Sequence, residues 1–178
     1  MRKNRQIVPG AYYHVSTRAN RGEMIFNTRI IKELFIDVLR EAKRKYSFRV
    51  ENFCIMGNHF HLLIRPDDDV NLSAIMQWVN SVFALRYNKR MGLTGHVWGE
   101  RFFSVVLFSL VDYLRTFIYI DDNPLVAGLV TGTALYEYSG RWHEHEGWGT
   151  IVDTADLLRK LLFPGRCQKP LALEHLVT

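Results

Sequence analysis

The spacing of hydrophobic and polar residues changes along this chain in a way that marks out strands and helices in turn. Residues 11–17 alternate. Tyr13, Val15 and Thr17 fall on one face of an extended segment, and His14, Ser16 and Arg18 on the other. From 29 to 46 the period becomes that of a helix. Ile31, Leu34, Phe35, Val38, Leu39 and Ala42 recur on one side, with Lys32, Glu33, Asp37, Arg40 and Glu41 largely on the rest. Asn27 or Thr28 can cap its start. Residues 48–56 predict a second strand and 59–65 a third. Gly57-Asn58 joins them as a two-residue turn, with glycine first as a type II′ turn prefers. Pro66 and Asp67-Asp68-Asp69 end the third strand. Asn71 can cap a helix over 72–91 whose stripe centres on Ile75, Val79 and Val82. Arg86 lies in line with that stripe and is expected to snorkel out near the helix end. After a loop at 92–95, residues 98–107 predict a fourth strand, bent at Gly99. A third helix over 109–122 follows, closed by a short turn over 123–130. Beyond 132 the pattern weakens to a loop around 142–148, a short helix over 154–163 and a loose tail over 164–178.

The order is β-α-β-β-α-β and then one further helix. That predicts an α+β, ferredoxin-like antiparallel sheet with two helices on one face. Along the third strand Phe60, Leu62 and Ile64 can fill the core, while His59 and His61 point together to the opposite face. Two imidazoles on a rigid strand are half of a metal site. A His-x-His pair can equally be two half-exposed polar residues. The third helix has its own peculiarity. Leu110, Val111, Leu114, Phe117 and Ile118 share a side, and Tyr119 falls about 140° from its centre at 100° per residue. Tyr119 then lies among Asp112, Arg115, Thr116 and Asn123, whereas Tyr113 sits at the edge of the apolar stripe. Asn123 is one turn on and can lie beside Tyr119, although Pro124 biases it away from helical geometry.

Composition narrows the function classes. The 178 residues are 48% hydrophobic and 23% charged, ordinary values for one globular domain. Lysine and arginine outnumber acids by 23 to 18, a formal charge of +5 that suits a nucleic-acid partner without demanding one. Arg2, Lys3 and Arg5 at the start, the basic stretch 86–90, and Arg18, Arg21, Arg101 and Arg115 are candidate phosphate contacts. The last four each have a salt-bridge or solvated-surface alternative, the start can equally be a frayed solvated terminus, and the stretch 86–90 can simply complement a helix C-terminus. Trp98 and Phe102 can stack on bases or pack in the core. The two cysteines, Cys54 and Cys167, have no metal-type spacing, and Cys54 reads as a buried thiol. No signal peptide and no membrane span are expected, which points to a reducing, cytoplasmic setting. A second His-x-His, His143-Glu144-His145, lies in a glycine-flanked polar stretch and reads as a loop decoy.

Taken together, His59-Phe60-His61 and the segment from Tyr119 to Val130 resemble the single-tyrosine HUH transposases. They are more closely similar to the REP-associated tyrosine transposases, whose Tyr-Ile-x-x-Asn-Pro-x-x-Ala-Gly-Leu-Val signature stands here at 119–130. Tyr13-His14-Val15 and Gly99-Glu100-Arg101-Phe102 are also similar to family segments. The resemblance spans roughly residues 9–142 and weakens after 131. It implies an HUH transposase/endonuclease domain over 1–142, its C-terminal helix catalytic, and an extension over 143–178. It implies His59 and His61 as metal ligands, Asn123 as the third, and Tyr119 as nucleophile. The expected cofactor is Mg²⁺ or Mn²⁺. The expected partner is single-stranded DNA next to a hairpin, bound by a monomer or homodimer. The implied reaction is cleavage of a phosphodiester by the tyrosine oxygen, leaving a 5′-phosphotyrosine link and a free 3′-OH. A free phenol, with pKa near about 10, is a poor nucleophile at neutral pH, so charge stabilisation at the phosphate is needed. Two other readings stand beside this one: a non-catalytic nucleic-acid-binding module, and a zinc hydrolase using water.

Overall fold

The computed structural model describes residues 8–146 and 151–153. Arg2, Lys3 and Arg5, Cys167, the expected helix over 154–163 and the tail lie outside the described residues. The elements are β1 (Tyr12–Arg18), α1 (Arg29–Lys45), β2 (Phe48–Ile55), β3 (His59–Pro66), α2 (Leu72–Met91), β4 (Phe103–Leu107), α3 (Leu110–Val126) and α4 (Gly140–Glu146). The four strands form one sheet in the order β2-β3-β1-β4, every neighbouring pair antiparallel. This is the expected ferredoxin-like α+β arrangement, with β1 and β3 side by side at its centre.

Alternation decides which side chains face which layer. On β1 and β3, Tyr13 pairs with Ile64, Val15 with Leu62 and Thr17 with Phe60, and all six are buried. This face carries α1 and α2. Phe35 of α1 meets Phe60 with ring centroids 4.4 Å apart, and Asn80 of α2 reaches Thr17. The other face of the sheet carries α3, which brings Tyr113 against Tyr12 at 5.0 Å. Burying the apolar rows of both faces supplies the main stabilisation, at about 25 cal/mol per Å².

Local chemistry fixes the helix ends. Thr28 Oγ1 accepts the Ile31 N–H to start α1, Asn71 Oδ1 accepts that of Ser73 to start α2, and Ser109 Oγ accepts that of Asp112 to start α3. Gly92, at φ 65°, closes α2 in the left-handed conformation.

Some expectations need correction. Arg86 does not snorkel to solvent alone. Its guanidinium makes a two-pronged ion pair with Glu41 of α1, at 2.7 and 2.8 Å. The fourth strand begins at Phe103, not near 98. Residues 98–101 instead fold over the end of β1: the Trp98 indole donates to Asn80 O at 2.8 Å, and the Gly99 N–H to Arg18 O at 3.1 Å. A Cβ at Gly99 would lie against the Ala19 carbonyl and Asn20 Cα, 3.4 Å from each, so the segment packs closely on the backbone after β1. Residues 140–146 are helix, α4, where a loop is expected around 142–148. No helix among the described residues is long and apolar enough to cross a membrane.

Candidate functional site

The β2–β3 hairpin presents the histidine pair, but its turn differs from the expected one. A type II′ turn needs a positive φ at Gly57, and Gly57 does not have one. A Cβ there would meet only the end of the exposed Met24 side chain, which can swing aside. Asn58 locks the tip. Its carbonyl accepts from Ala19 N–H at 2.8 Å, and its side-chain N–H donates to Gly22 O at 3.2 Å. That donation leaves Asn58 Oδ1 facing His59 Nδ1, 2.7 Å away. An amide oxygen only accepts, so His59 carries its proton on Nδ1 and keeps a lone pair on Nε2.

His61 lies one step further along the same face and is buried, with its ring 4.9 Å from that of His59. Its Nδ1 is 3.0 Å from Nε2 of His14, a residue of β1. The two rings stack 5.1 Å apart. The register explains the meeting: His61 pairs with Ser16, so His14 is its diagonal neighbour across the central strands. His61 Nε2 is buried and has no hydrogen-bond partner. Burial lowers all three imidazoles. His61 is pushed down to about 3, with His14 and His59 adding in the same direction, and Arg18 adds to the shift of His59. All three are neutral at neutral pH, the form that can ligate a cation.

Tyr119 comes to this place from α3. Its ring lies 5.4 Å from that of His61 and 5.8 Å from that of His14, edge to face with both, and stays 52% exposed. The expected gathering of the tyrosine and the histidine pair therefore occurs within one chain. The helix that carries it is longer than predicted. It continues through Pro124 to Val126, so Asn123 is helical and its side-chain N–H donates to Tyr119 O at 2.8 Å. Pro124 is buried, and packing its ring offsets the helix bond it cannot donate. The buried side of α3 is also rotated. It consists of Tyr113, Phe117, Ile120, Asp121 and Pro124, while Leu110 and Val111 are exposed.

Polar anchors account for that rotation. The β2–β3 register shifts between Val50 and Asn52, a bulge. Neighbours on a regular strand point to opposite faces, but a bulge lets Glu51 and Asn52 both reach α3. Tyr113 Oη donates to Glu51 Oε2 at 3.2 Å. Asn52 Nδ2 donates to Asp121 Oδ1 at 2.8 Å and to Phe117 O at 3.2 Å, all of it buried. Phe117 and Asp121 flank Tyr119 by two residues on each side, so this clamp sets where the phenol points.

The candidate arginines are all exposed but are differently placed. Arg18 pairs with His59 across the strands. Arg115 is one turn before Tyr119 on α3. Arg21 stands at φ 53° in the Asn20–Gly22 turn that the hairpin tip grips through Gly22. Arg101 lines a cleft with Gln77 and Trp98 on the α2 side of the sheet, away from Tyr119. Phe102 is buried core and Trp98 packs against the core, so neither is a free stacking platform. His143 and His145 are two apart on a helix and so point about 200° apart, which prevents joint ligation. Cys54 is a buried thiol whose pKa is raised by burial. Among the described residues no cluster of three His, Cys, Asp or Glu could hold a metal ion. A cation here would need donors of another kind beside His59 and His61. His14 is the participant that motif spacing missed.

Residues 7–122 match the family model of IS200-like transposases, well over half of the chain. The fold resembles the solved structure of a REP-associated tyrosine transposase bound to a REP hairpin, with a TM-score of 0.68 and 18% identity over 100% of both chains. A crystal structure of a candidate transposase from Deinococcus radiodurans R1 aligns at a TM-score of 0.49 and 16% identity, over 68% of this chain and 97% of that one. Among curated protein sequences none matches.

Proposed function

Because the chain belongs to the IS200-like transposase family, we propose that it is a metal-dependent single-stranded DNA endonuclease and strand transferase acting through Tyr119. It works on cytoplasmic DNA next to a hairpin, as a monomer or homodimer. The observation that carries this reading is the half-exposed phenol of Tyr119 against the buried His61 ring, on a sheet face where His59 and His61 both keep an Nε2 lone pair or a partnerless Nε2. The partnerless, buried Nε2 of neutral His61 is also what fits a cation. His59, His61 and Asn123 would hold Mg²⁺ or Mn²⁺. Such an ion, when bound, stabilises charge on the non-bridging phosphate oxygens and orients the phosphate.

The chain's own residues do the rest. Tyr119 Oη forms a bond to phosphorus as the bond to the 3′ oxygen breaks, giving a 5′-phosphotyrosine and a 3′-OH. The phenol proton passes to water, which reaches the exposed side of the ring, and the departing 3′ oxygen takes up a proton from water to become the 3′-OH. Arg115, one turn away, and Arg18, beside His59, offer cations for the flanking phosphates. The covalent link conserves the bond, so a later 3′-OH can attack it, rejoin strands and release Tyr119.

The test uses a labelled oligonucleotide pool with a hairpin stem and randomised single-stranded flanks, incubated with the protein and Mn²⁺ and run on a denaturing gel. A protein–DNA adduct is expected, absent with Tyr119→Phe or with EDTA. Binding without cleavage would favour a non-catalytic nucleic-acid module, and cleavage without adduct a hydrolase using water.

A further inference from the structure

We infer that His14 is a positioning residue: its Nε2 accepts the Nδ1–H of His61 and so holds His61 with the Nε2 lone pair presented for a cation. The inference rests on the metal reading above and extends it to a residue outside the His-x-His pair.

The argument starts from one proton. The bond between His14 Nε2 and His61 Nδ1 is 3.0 Å long, and one ring must donate while the other accepts. If His14 donated, His61 would carry its own proton on Nε2. That nitrogen is buried and has no partner, so the result would be an orphaned N–H in the interior. Orphaned buried donors are rarer than under-satisfied acceptors. The other tautomer places the proton between the rings and leaves an in-plane lone pair at Nε2. His59 is set up in the same way by a different device, since Asn58 Oδ1 takes its Nδ1–H. The two ring partners, Asn58 at the hairpin tip and His14 on the adjacent strand, therefore give both histidines the same tautomer. Outer partners of this kind orient a ligand and make it more basic.

His14 also stacks on His61 and meets the edge of Tyr119, so packing and hydrogen bonding must be separated. His14→Phe keeps a ring in place and removes the acceptor. His14→Gln can restore an acceptor through its amide oxygen. The first readout is the protonation of His61 nitrogens by ¹⁵N NMR on metal-free protein. The second is Mn²⁺ affinity by titration. We expect wild-type His61 to be protonated on Nδ1. In His14→Phe we expect a tautomer mixture and roughly 10- to 100-fold weaker Mn²⁺ binding, with Gln recovering most of it. A proton on Nε2 of wild-type His61 overturns the assignment. So does a His14→Phe protein with unchanged tautomer and affinity. Should the Phe variant not fold, the wild-type tautomer and the affinity of the Gln variant decide. A wild-type protein that binds no Mn²⁺ refutes the metal reading, whereas the NMR result still tests the role of His14 separately.

Discussion

Replacing Asn52 by leucine should both loosen α3 and misplace Tyr119. The side chain is fully buried and takes part in three hydrogen bonds: to Asp121 Oδ1 at 2.8 Å, to Phe117 O at 3.2 Å, and from Phe53 N–H at 2.8 Å. Leucine has a similar volume, so a cavity contributes little. One bond involves a buried carboxyl group, worth about 1.5–3 kcal/mol if it is ionised, and the other two are worth about 0.5–1.5 kcal/mol each. The loss is about 4 kcal/mol, or a fall in Tm of about 10 °C for a domain of this size. A variant with that loss can still be largely folded in the cold, because domain stabilities run to about 5–15 kcal/mol. At a temperature where circular dichroism shows Asn52→Leu folded, single-turnover adduct formation should nevertheless fall by about 100-fold. A misplacement of about 1 Å at a reacting group is enough for that. The reasoning fails if the stability change is under about 1 kcal/mol. It also fails if the folded variant forms adduct at the wild-type rate, which would mean that α3 is held by its apolar side alone.

Other predictions concern the periphery of the site. Gly140→Ala should destabilise by about 1–3 kcal/mol, measured by urea unfolding, because a Cβ there would run into Asn52 Oδ1 and lie 3.1 Å from Phe53 N. Removing the Arg86–Glu41 pair, whose side chains are 38% and 31% exposed, should cost only about 0.5 kcal/mol in a double-mutant cycle, less at high salt. His143 is held down to about 4, by burial first and by Arg40 second. The unfolded chain then binds a proton that the folded one refuses between about pH 6.5 and 4, so stability falls as pH drops through that window, by up to about 3 kcal/mol. His143→Phe should remove that part of the slope, seen as a smaller loss of Tm between pH 7 and 4.5 relative to wild type.

Alternation on β1 and β3 and the helical period of α1 and α2 made the fold legible, because β1, α1 and α2 each bury one apolar face and β3 carries its core row Phe60, Leu62 and Ile64 at alternate positions. The apolar pattern was a poorer guide for α3. Leu110 and Val111 belong to its apolar stripe and yet are exposed, while Asp121 is buried. A helix seated by carboxyl and amide groups does not announce its inner face through hydrophobicity. The bulge that lets Glu51 and Asn52 both turn toward α3 has no signature in residue type either, since it is a one-residue slip in pairing.

His14 shows what register adds to order. Spacing along one strand finds His59 and His61, because residues two apart share a face. A partner on another strand is invisible to that test. The βαββαβ order does place β1 beside β3, and His14 lies on the non-core face of β1, so a meeting with the histidine pair was allowed. Which of His14, Ser16 or Arg18 meets which histidine depends on the antiparallel offset, here Ser16 opposite His61 and Arg18 opposite His59. Slipping that offset by two residues would keep every apolar side chain on its proper face, yet put His14 either directly opposite His61 or opposite Arg65 and away from it. Apolar patterning thus decides the face but not the neighbour. The neighbour is set by contacts at the strand end, such as Ala19 N–H on Asn58 O and the Asn58 side chain on Gly22 O. The same hairpin tip therefore fixes the proton on His59 directly and the company of His61 at a distance, so Asn58 substitutions should disturb both imidazoles.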